Sequence, residues 1–126
     1  MNTLLSLIFT VCTIFGSLQS VVPYAKVDQA FDAQNAESIV AFSREKMVIK
    51  LSGKEGIYSK SQAVQIIKEF FVKHPKGAFD FTFKGAESDA GTFAIGNYVD
   101  GKSKYRVTIH FKNGADGYKI ECLTIE

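Results

Sequence analysis

The 126-residue sequence has no tryptophan, only two prolines, two cysteines and two histidines. Because these few thiols and imidazoles do not stand at metal-ligand spacing, we expect no metal site. A Gly-rich phosphate loop and a Gly-x-Ser-x-Gly nucleophile motif are also missing. No charge sign dominates, since 15 Lys and Arg oppose 13 Asp and Glu for a net charge of +2. This balance argues against nucleic-acid binding and against a polybasic membrane patch.

The N-terminal stretch has no charged side chain, and all such side chains follow Tyr24. Leu4 to Phe15 form an unbroken run without charge, dominated by apolar residues. A helix of that length spans roughly 18 Å, well short of a bilayer core of roughly 30 Å. We therefore expect residues 1–20, ending at Ser20, to be a cleavable signal peptide, although no Lys or Arg precedes Leu4. The protein would be periplasmic or extracellular, with membrane attachment only through an uncleaved signal.

Signal cleavage would remove Cys12 and leave Cys122 without an intrachain disulfide partner. Residues 21–126 are then expected to form a single domain, because about 106 residues are too few for a second core. The sequence is 46% hydrophobic and 13% aromatic, enough for this domain to be held by apolar packing alone.

Helices are predicted in the first half of this domain. Tyr24, Val27 and Phe31 form one apolar stripe after Pro23, which indicates a first helix of about three turns. Asn35 is expected to cap a second, shorter helix.

A third helix has the clearest local signal, a capping box formed by Ser59 and Gln62. It is expected to end near His74, because the residue before Pro75 disfavours helical backbone. Between the second and third helices, alternation over residues 47–51 predicts one strand, followed by a turn at residues 52–56.

After Gly77 the apolar period changes to two, which predicts four antiparallel strands. If Ile95 and Val107 share a face, residues 100–102 form a three-residue loop. If Phe111 lies opposite Tyr118, residues 113–116 form a four-residue loop. Residues 123 and 125 then point to the outer face unless a bulge intervenes.

This order predicts an α+β domain with helices packed on one face of a curved antiparallel sheet. It resembles the nuclear-transport-factor-2-like, or cystatin-like, cone. At the residue level the chain resembles a family of uncharacterised secreted bacterial proteins of the Bacteroidetes type, a domain of unknown function with that fold. The stretches that carry the resemblance are residues 54–60, 70–71, 93–96, 105–107 and 123–126. The resemblance implies a fold and a compartment but no chemistry.

Cones of this type often hold a pocket between the first helix and the concave sheet, so aromatic and polar side chains predicted there are candidate ligand contacts. The candidates are Tyr24, Phe31, Tyr58, Phe70, Phe83, Asn97 and Tyr105. The alternative for the tyrosines is a core position with the hydroxyl at the rim. Asn97 could instead satisfy a neighbouring backbone group.

The outer sheet face is a second candidate site, for a protein partner or for self-association. Its expected members are Tyr98, Arg106, His110, Leu123 and Ile125. The alternative is a bulge that turns Leu123 and Ile125 into the core.

Three functions remain open at this point. We favour a non-enzymatic exported binding module for a small apolar ligand or a protein, because no nucleophile, acid–base pair or metal set is recognisable. The first alternative is a small isomerase- or dehydratase-like enzyme with a pocket in the cone. The second is a structural homodimer with a filled core. No cofactor and no catalytic residue are expected.

Overall fold

The computed structural model describes residues 21–126, so the expected signal peptide at residues 1–20 lies outside the described residues. Three helices are present: α1 (Tyr24–Asp32), α2 (Ala36–Val40) and α3 (Lys60–Lys73). Six strands follow the order β1 (Ser43–Leu51), β2 (Lys54–Ser59), β3 (Ala78–Lys84), β4 (Gly91–Asp100), β5 (Ser103–Gly114) and β6 (Gly117–Ile125), with α3 between β2 and β3. Within residues 21–126 no helix is both long enough and apolar enough to cross a membrane.

The predicted helices and their caps are confirmed. Asn35 accepts a hydrogen bond from the Ser38 backbone N–H at 3.1 Å and so caps α2. The capping box opens α3, where the Gln62 side chain accepts from the Ser59 backbone N–H at 3.0 Å. Helix α3 ends before His74, as the following proline requires.

The strands form one curved, unclosed sheet in the order β2-β1-β6-β5-β4-β3, which confirms the predicted α+β class. All neighbours are antiparallel except β1 and β6, which run parallel. Strand β2 was not predicted, because the pattern over residues 52–56 predicts a turn. Only Ser52 and Gly53 form that turn, both with positive φ (50° and 84°), and Leu51 pairs directly with Lys54. Two positive φ angles are typical of the tight hairpin turn that glycine favours.

The predicted register between β4 and β5 is wrong. Asp100 pairs with Ser103, so the connection has two residues instead of three. A change of one residue reverses the face of every side chain. Ile95 therefore lies opposite Thr108, and Tyr98 points to the helices, where it is fully buried.

The connection between β5 and β6 is also shorter than predicted, because Gly114 pairs with Gly117. The register then shifts between His110, which pairs with Cys122, and Phe111, which pairs with Ile120. The shorter connection leaves the parity of β6 as predicted, and this bulge then changes it. The bulge is the alternative named above, since it turns residues 123 and 125 into the core.

The core lies between the helices and the concave side of the sheet. Helix α1 packs against β3, and α3 packs against β1 and β2. Large side chains with essentially no exposed surface fill this space: Phe31, Ile39, Met47, Ile49, Ile67, Tyr98, Ile109, Ile120, Leu123 and Ile125. Full burial of one such side chain contributes about 1.5–3 kcal/mol, so these residues supply much of the stability.

Candidate functional site

The interior of the cone is occupied by aromatic side chains. Phe31 stacks on Phe79 with ring centroids 4.6 Å apart, and Phe70 lies 5.5 Å from Tyr98. Phe71 contacts the Phe31 ring edge-on at 6.0 Å. Phe31 and Phe70, two of the predicted pocket residues, are thus buried parts of the core. Packing of this kind gives the concave face a structural role.

Three other predicted pocket residues lie away from the cone interior. Tyr58 is on the edge strand β2, opposite Met47, at the border of the core. Phe83 is 50% exposed, because a register shift after Phe81 turns it to the outer face. Asn97 pairs with Arg106 on that same face. The pocket positions expected for Phe83 and Asn97 are therefore wrong, and the cause is again strand register.

Tyr24 on α1 has a buried hydroxyl without a well-formed hydrogen bond among the described residues, although a side-chain contact with Thr92 acts to lower its pKa. Its ring meets Phe81 and Phe111 edge-on at 5.4 and 5.9 Å, and the Lys84 ammonium lies 4.7 Å from the ring centroid. Burial raises the pKa of this hydroxyl above its ordinary value. The aromatic packing was expected, but a hydroxyl without a well-formed hydrogen bond is unusual for a buried tyrosine.

Asp28 follows Tyr24 by one helical turn, so the two side chains share a face of α1. Its Oδ1 atom is also buried without a partner among residues 21–126. Burial, followed by repulsion from Asp32 and Asp80, raises the pKa of the Asp28 carboxyl, while Lys84 opposes the shift. Asp28 lies beside the apolar stripe of Tyr24, Val27 and Phe31, and this pattern predicts an exposed position, so its buried Oδ1 atom could not be predicted from the sequence.

A second polar group joins the end of α3 to the β4–β5 hairpin. His74 Nδ1 lies 3.3 Å from Asp100 Oδ2, and His74 Nε2 lies 3.2 Å from the Tyr105 hydroxyl. The His74 backbone carbonyl accepts a hydrogen bond from the Tyr98 hydroxyl. Tyr105 is half-buried against Phe70, with ring centroids 5.3 Å apart. The sequence predicted His74 only as a helix end, because Asp100 is 26 positions away in the chain.

The basic groove is a cavity of about 760 Å³ beside the β1–β6 pair and the β5–β6 turn. Its cationic side chains are Arg44, Lys46, Lys60, Lys112 and Lys119. Glu45 and Asp116 also line it. Sequence reasoning missed this site because its members are scattered over 76 positions and no motif joins them.

The outer sheet face differs from its predicted composition. Tyr98, Leu123 and Ile125 are buried, so their expected outer positions are wrong for the register reasons given above. Arg106 and His110 are exposed on this face.

Aromatic rings lie beside His110 on the outer face. The Phe93 ring stacks on His110 at 5.7 Å and contacts Phe83 at 5.5 Å. Asn97 and Arg106 line a shallow groove of about 370 Å³ with Lys104 and Glu126. Self-association through this face stays a prediction.

Across residues 21–126 no three His, Cys, Asp or Glu side chains are arranged to hold a metal ion. No curated protein matches the sequence. Among solved structures, a protein from Bacteroides ovatus superposes with a TM-score of 0.76 and 23% identity, covering 85% of this chain and 96% of its own. A protein from Bacteroides uniformis gives 0.76 and 24%, covering 84% and 96%. Both are described as DUF4783 family proteins.

A more distant similarity supports the cone fold. A nuclear-transport-factor-2-like protein of unknown function from Shewanella oneidensis superposes with a TM-score of 0.61 at 12% identity, covering 81% of this chain and 91% of its own. The model of the family described as "Domain of unknown function (DUF4783)" matches residues 24–126, which is nearly all of the part that the structure describes. The chain therefore belongs to the DUF4783 family.

Proposed function

We propose that this protein is a non-enzymatic, exported binding module that takes its ligand on its outer surface and not inside the cone. The observation that carries the proposal is the filled concave face, where Phe31 and Tyr98 have no exposed surface. Ligand sites for small molecules are usually preformed clefts, and the open groove beside β1 and β6 fits that description better than the core. Export rests on the N-terminal apolar run of the sequence.

The first test asks whether the cone is closed to apolar ligands. The uncharged fluorophore N-phenyl-1-naphthylamine is expected to give no fluorescence increase with the folded protein. Benzene with Phe71→Ala is the positive control for a cavity of one ring, since such a cavity has room for benzene but not for the three-ring fluorophore. Saturable binding of the fluorophore by the unaltered protein would contradict surface binding.

The second test asks whether the surface binds at all. The protein is passed over immobilised dextran, dextran sulfate, polyglutamate, polylysine and lipid vesicles, with heat-unfolded protein as the control. We expect saturable binding to one of these classes. Failure to bind any of them would contradict the proposed function.

Export is tested separately. Mass spectrometry of the exported protein would show whether the chain is cleaved after Ser20.

A second candidate function has one observation in its favour. The Tyr24 hydroxyl and Asp28 Oδ1 are both buried, both without a well-formed hydrogen bond within residues 21–126, and one turn apart on α1. A carboxyl with a raised pKa beside a hydroxyl donor is the chemistry that an isomerase or dehydratase uses to move a proton next to a carbonyl. This candidate would require substrate to reach the α1–β3 contact.

The enzyme candidate is tested by proton exchange. Enolisable ketones and 3-hydroxy ketones in deuterium oxide are followed by proton NMR with the unaltered protein, Tyr24→Phe and Asp28→Asn. Catalysed exchange that both substitutions abolish would favour the enzyme over the binding module. Exchange at the uncatalysed rate with all three proteins would exclude it for these substrates.

A further inference from the structure

We infer that the basic groove binds an anionic polysaccharide through its sulfate or carboxylate groups. This inference rests on the proposed binding function and assigns its site and ligand class.

The groove exists because β1 and β6 separate locally. Ser43 pairs with Ile120 and Val48 pairs with Cys122, so five steps along β1 correspond to two along β6. The buried Ser43 hydroxyl anchors the start of the extra segment, 2.8 Å from the Val40 carbonyl and 2.9 Å from the Arg44 carbonyl. The irregularity is thus a defined part of the fold, and bulges of this kind commonly serve a functional site.

Positive charge is concentrated in this groove. Five of the chain's 15 Lys and Arg residues line it, against two carboxylates, Glu45 and Asp116. Arg44 is 3.4 Å from Glu121, which partly neutralises its guanidinium. The four lysines have no ion-pair partner among residues 21–126. The site therefore has a net positive charge although the whole chain is nearly balanced.

Two of these lysines stand directly opposite each other in the sheet. Lys112 on β5 and Lys119 on β6 are direct antiparallel partners, so their side chains stand on the same face of the sheet. Like charges directly opposite each other destabilise a sheet. An anion placed between the two ammonium groups would convert this repulsion into attraction, and this pair is the strongest indication of the ligand's charge.

The chemistry of the lining favours a polymer over a single small anion. Lysine ammonium groups are flexible point charges, without the planar two-pronged geometry with which arginine recognises one phosphate or carboxylate. Exposed lysines around an open groove suit several anionic groups spaced along a chain. A volume of about 760 Å³ accommodates a short segment of such a chain.

The lining also distinguishes among classes of polymer. Within residues 21–126 it contains no aromatic residue on which a nucleic-acid base could stack. Ala115 is the only apolar side chain that this part of the chain contributes to the groove, so the described lining has neither an anchor for a protein interface nor a wedge for lipid. A polysaccharide recognised through its charges is the polyanion that needs none of these features.

Binding to dextran sulfate, with neutral dextran of equal length as the negative probe, tests the inference. The variant Lys112→Gln/Lys119→Gln is compared with Lys26→Gln/Lys68→Gln, which removes the same charge from exposed positions on α1 and α3. Affinity is measured by biolayer interferometry at several salt concentrations, and circular dichroism checks folding. We expect the slope of log affinity against log salt to fall by about 2 for the groove variant and to change much less for the control.

Thermal unfolding provides a second measurement. Without ligand the groove variant is expected to unfold at a temperature a few degrees higher than the unaltered protein, because the Lys112–Lys119 repulsion is gone. Dextran sulfate is expected to raise the unfolding temperature of the unaltered protein and of the control, and to raise that of the groove variant by much less.

Three results would overturn the inference. Equal loss of affinity in the two variants would mean that the groove is not the site, while the binding function would stand. Tighter binding of duplex DNA or of phosphatidylserine vesicles than of dextran sulfate at equal salt would reject the ligand class. Absence of binding to every probe would reject both the inference and the proposed function.

Discussion

His74 Nδ1 lies 3.3 Å from Asp100 Oδ2 and connects the C-terminal end of α3 to the β4–β5 hairpin. Both side chains are about four-fifths buried, with exposed fractions of 21% and 23%. The other ring nitrogen of His74 lies 3.2 Å from the Tyr105 hydroxyl. A histidine held on both sides has a fixed orientation, so this contact is expected to lock the helix to the sheet.

A double-mutant cycle measures that contact. His74→Gln and Asp100→Asn are expected to destabilise the protein singly, with a coupling free energy of about 0.5–1 kcal/mol from urea unfolding. The double variant should lose less free energy of unfolding than the sum of the two single losses, because each substitution removes the same hydrogen-bonded pair. Additive effects within error would mean that the two side chains act independently.

Two tyrosines allow a matched comparison of hydroxyl groups. Tyr98→Phe removes a donor to the His74 carbonyl and should lower the free energy of unfolding by about 1 kcal/mol. Tyr24→Phe removes a buried hydroxyl whose contact with Thr92 is not a well-formed hydrogen bond, so it should raise the free energy of unfolding by a smaller amount. Denaturant unfolding of each variant would measure both changes in the free energy of unfolding. The same sign for the two substitutions would contradict this assignment of partners.

Asp28 is expected to make stability depend on pH in the direction opposite to a salt-bridged carboxylate. Burial and the neighbouring Asp32 and Asp80 raise its pKa in the folded protein above the ordinary 3.8. Between these two pKa values the folded state binds the proton more tightly, so this contribution to stability grows as the pH falls and is lost as the pH rises through the folded pKa.

The comparison of the unaltered protein with Asp28→Asn isolates this effect. The variant should be more stable at neutral pH, and its advantage should shrink as the pH approaches 3.8. Urea unfolding across this pH range gives the difference curve. A constant difference would show that Asp28 titrates alike in the folded and unfolded states.

Gly96 on β4 is expected to be required for packing against β3. A Cβ atom there would lie 2.5 Å from Phe79 Cζ and 2.8 Å from the Asp80 carbonyl oxygen. Gly96→Ala should therefore cost about 1–3 kcal/mol of unfolding free energy. Gly114→Ala is the matched control, since a Cβ at that position meets nothing within 4 Å, and it should change stability by less than about 0.5 kcal/mol. Equal effects would contradict the packing argument.

The helices could be predicted from the sequence because their signals are local. The capping box of Ser59 and Gln62 and the proline after His74 act over three or four residues. Five of the six strands were also predictable from the period-two pattern, and β2 was not. Their register was not, because loop length decides it and a single-residue difference reverses a whole strand. Tyr98 shows the consequence, because it was expected on the outer face and lies fully buried in the core.

The candidate sites were less predictable than the fold. Tyr24 was a sequence candidate, but the lack of a well-formed hydrogen bond for its hydroxyl depends on β3 and on the distant Phe111. Lys112 pairs with Lys119 because the β5–β6 turn has two residues. The bulge, between His110 and Phe111, begins only beyond this pair. Rules that consider only neighbours along the chain cannot predict these contacts.

The position of β6 between β1 and β5 has a consequence for biogenesis. Nascent polypeptide emerges from the ribosome or the translocation channel N-terminus first, so the β1–β2 hairpin and the β3–β4–β5 ribbon stay unjoined until residues 117–125 follow them. Two open edges then face solvent at the same time, and contacts between distant segments form slowly. Loss of β6 alone would leave two half-sheets with nothing to join them.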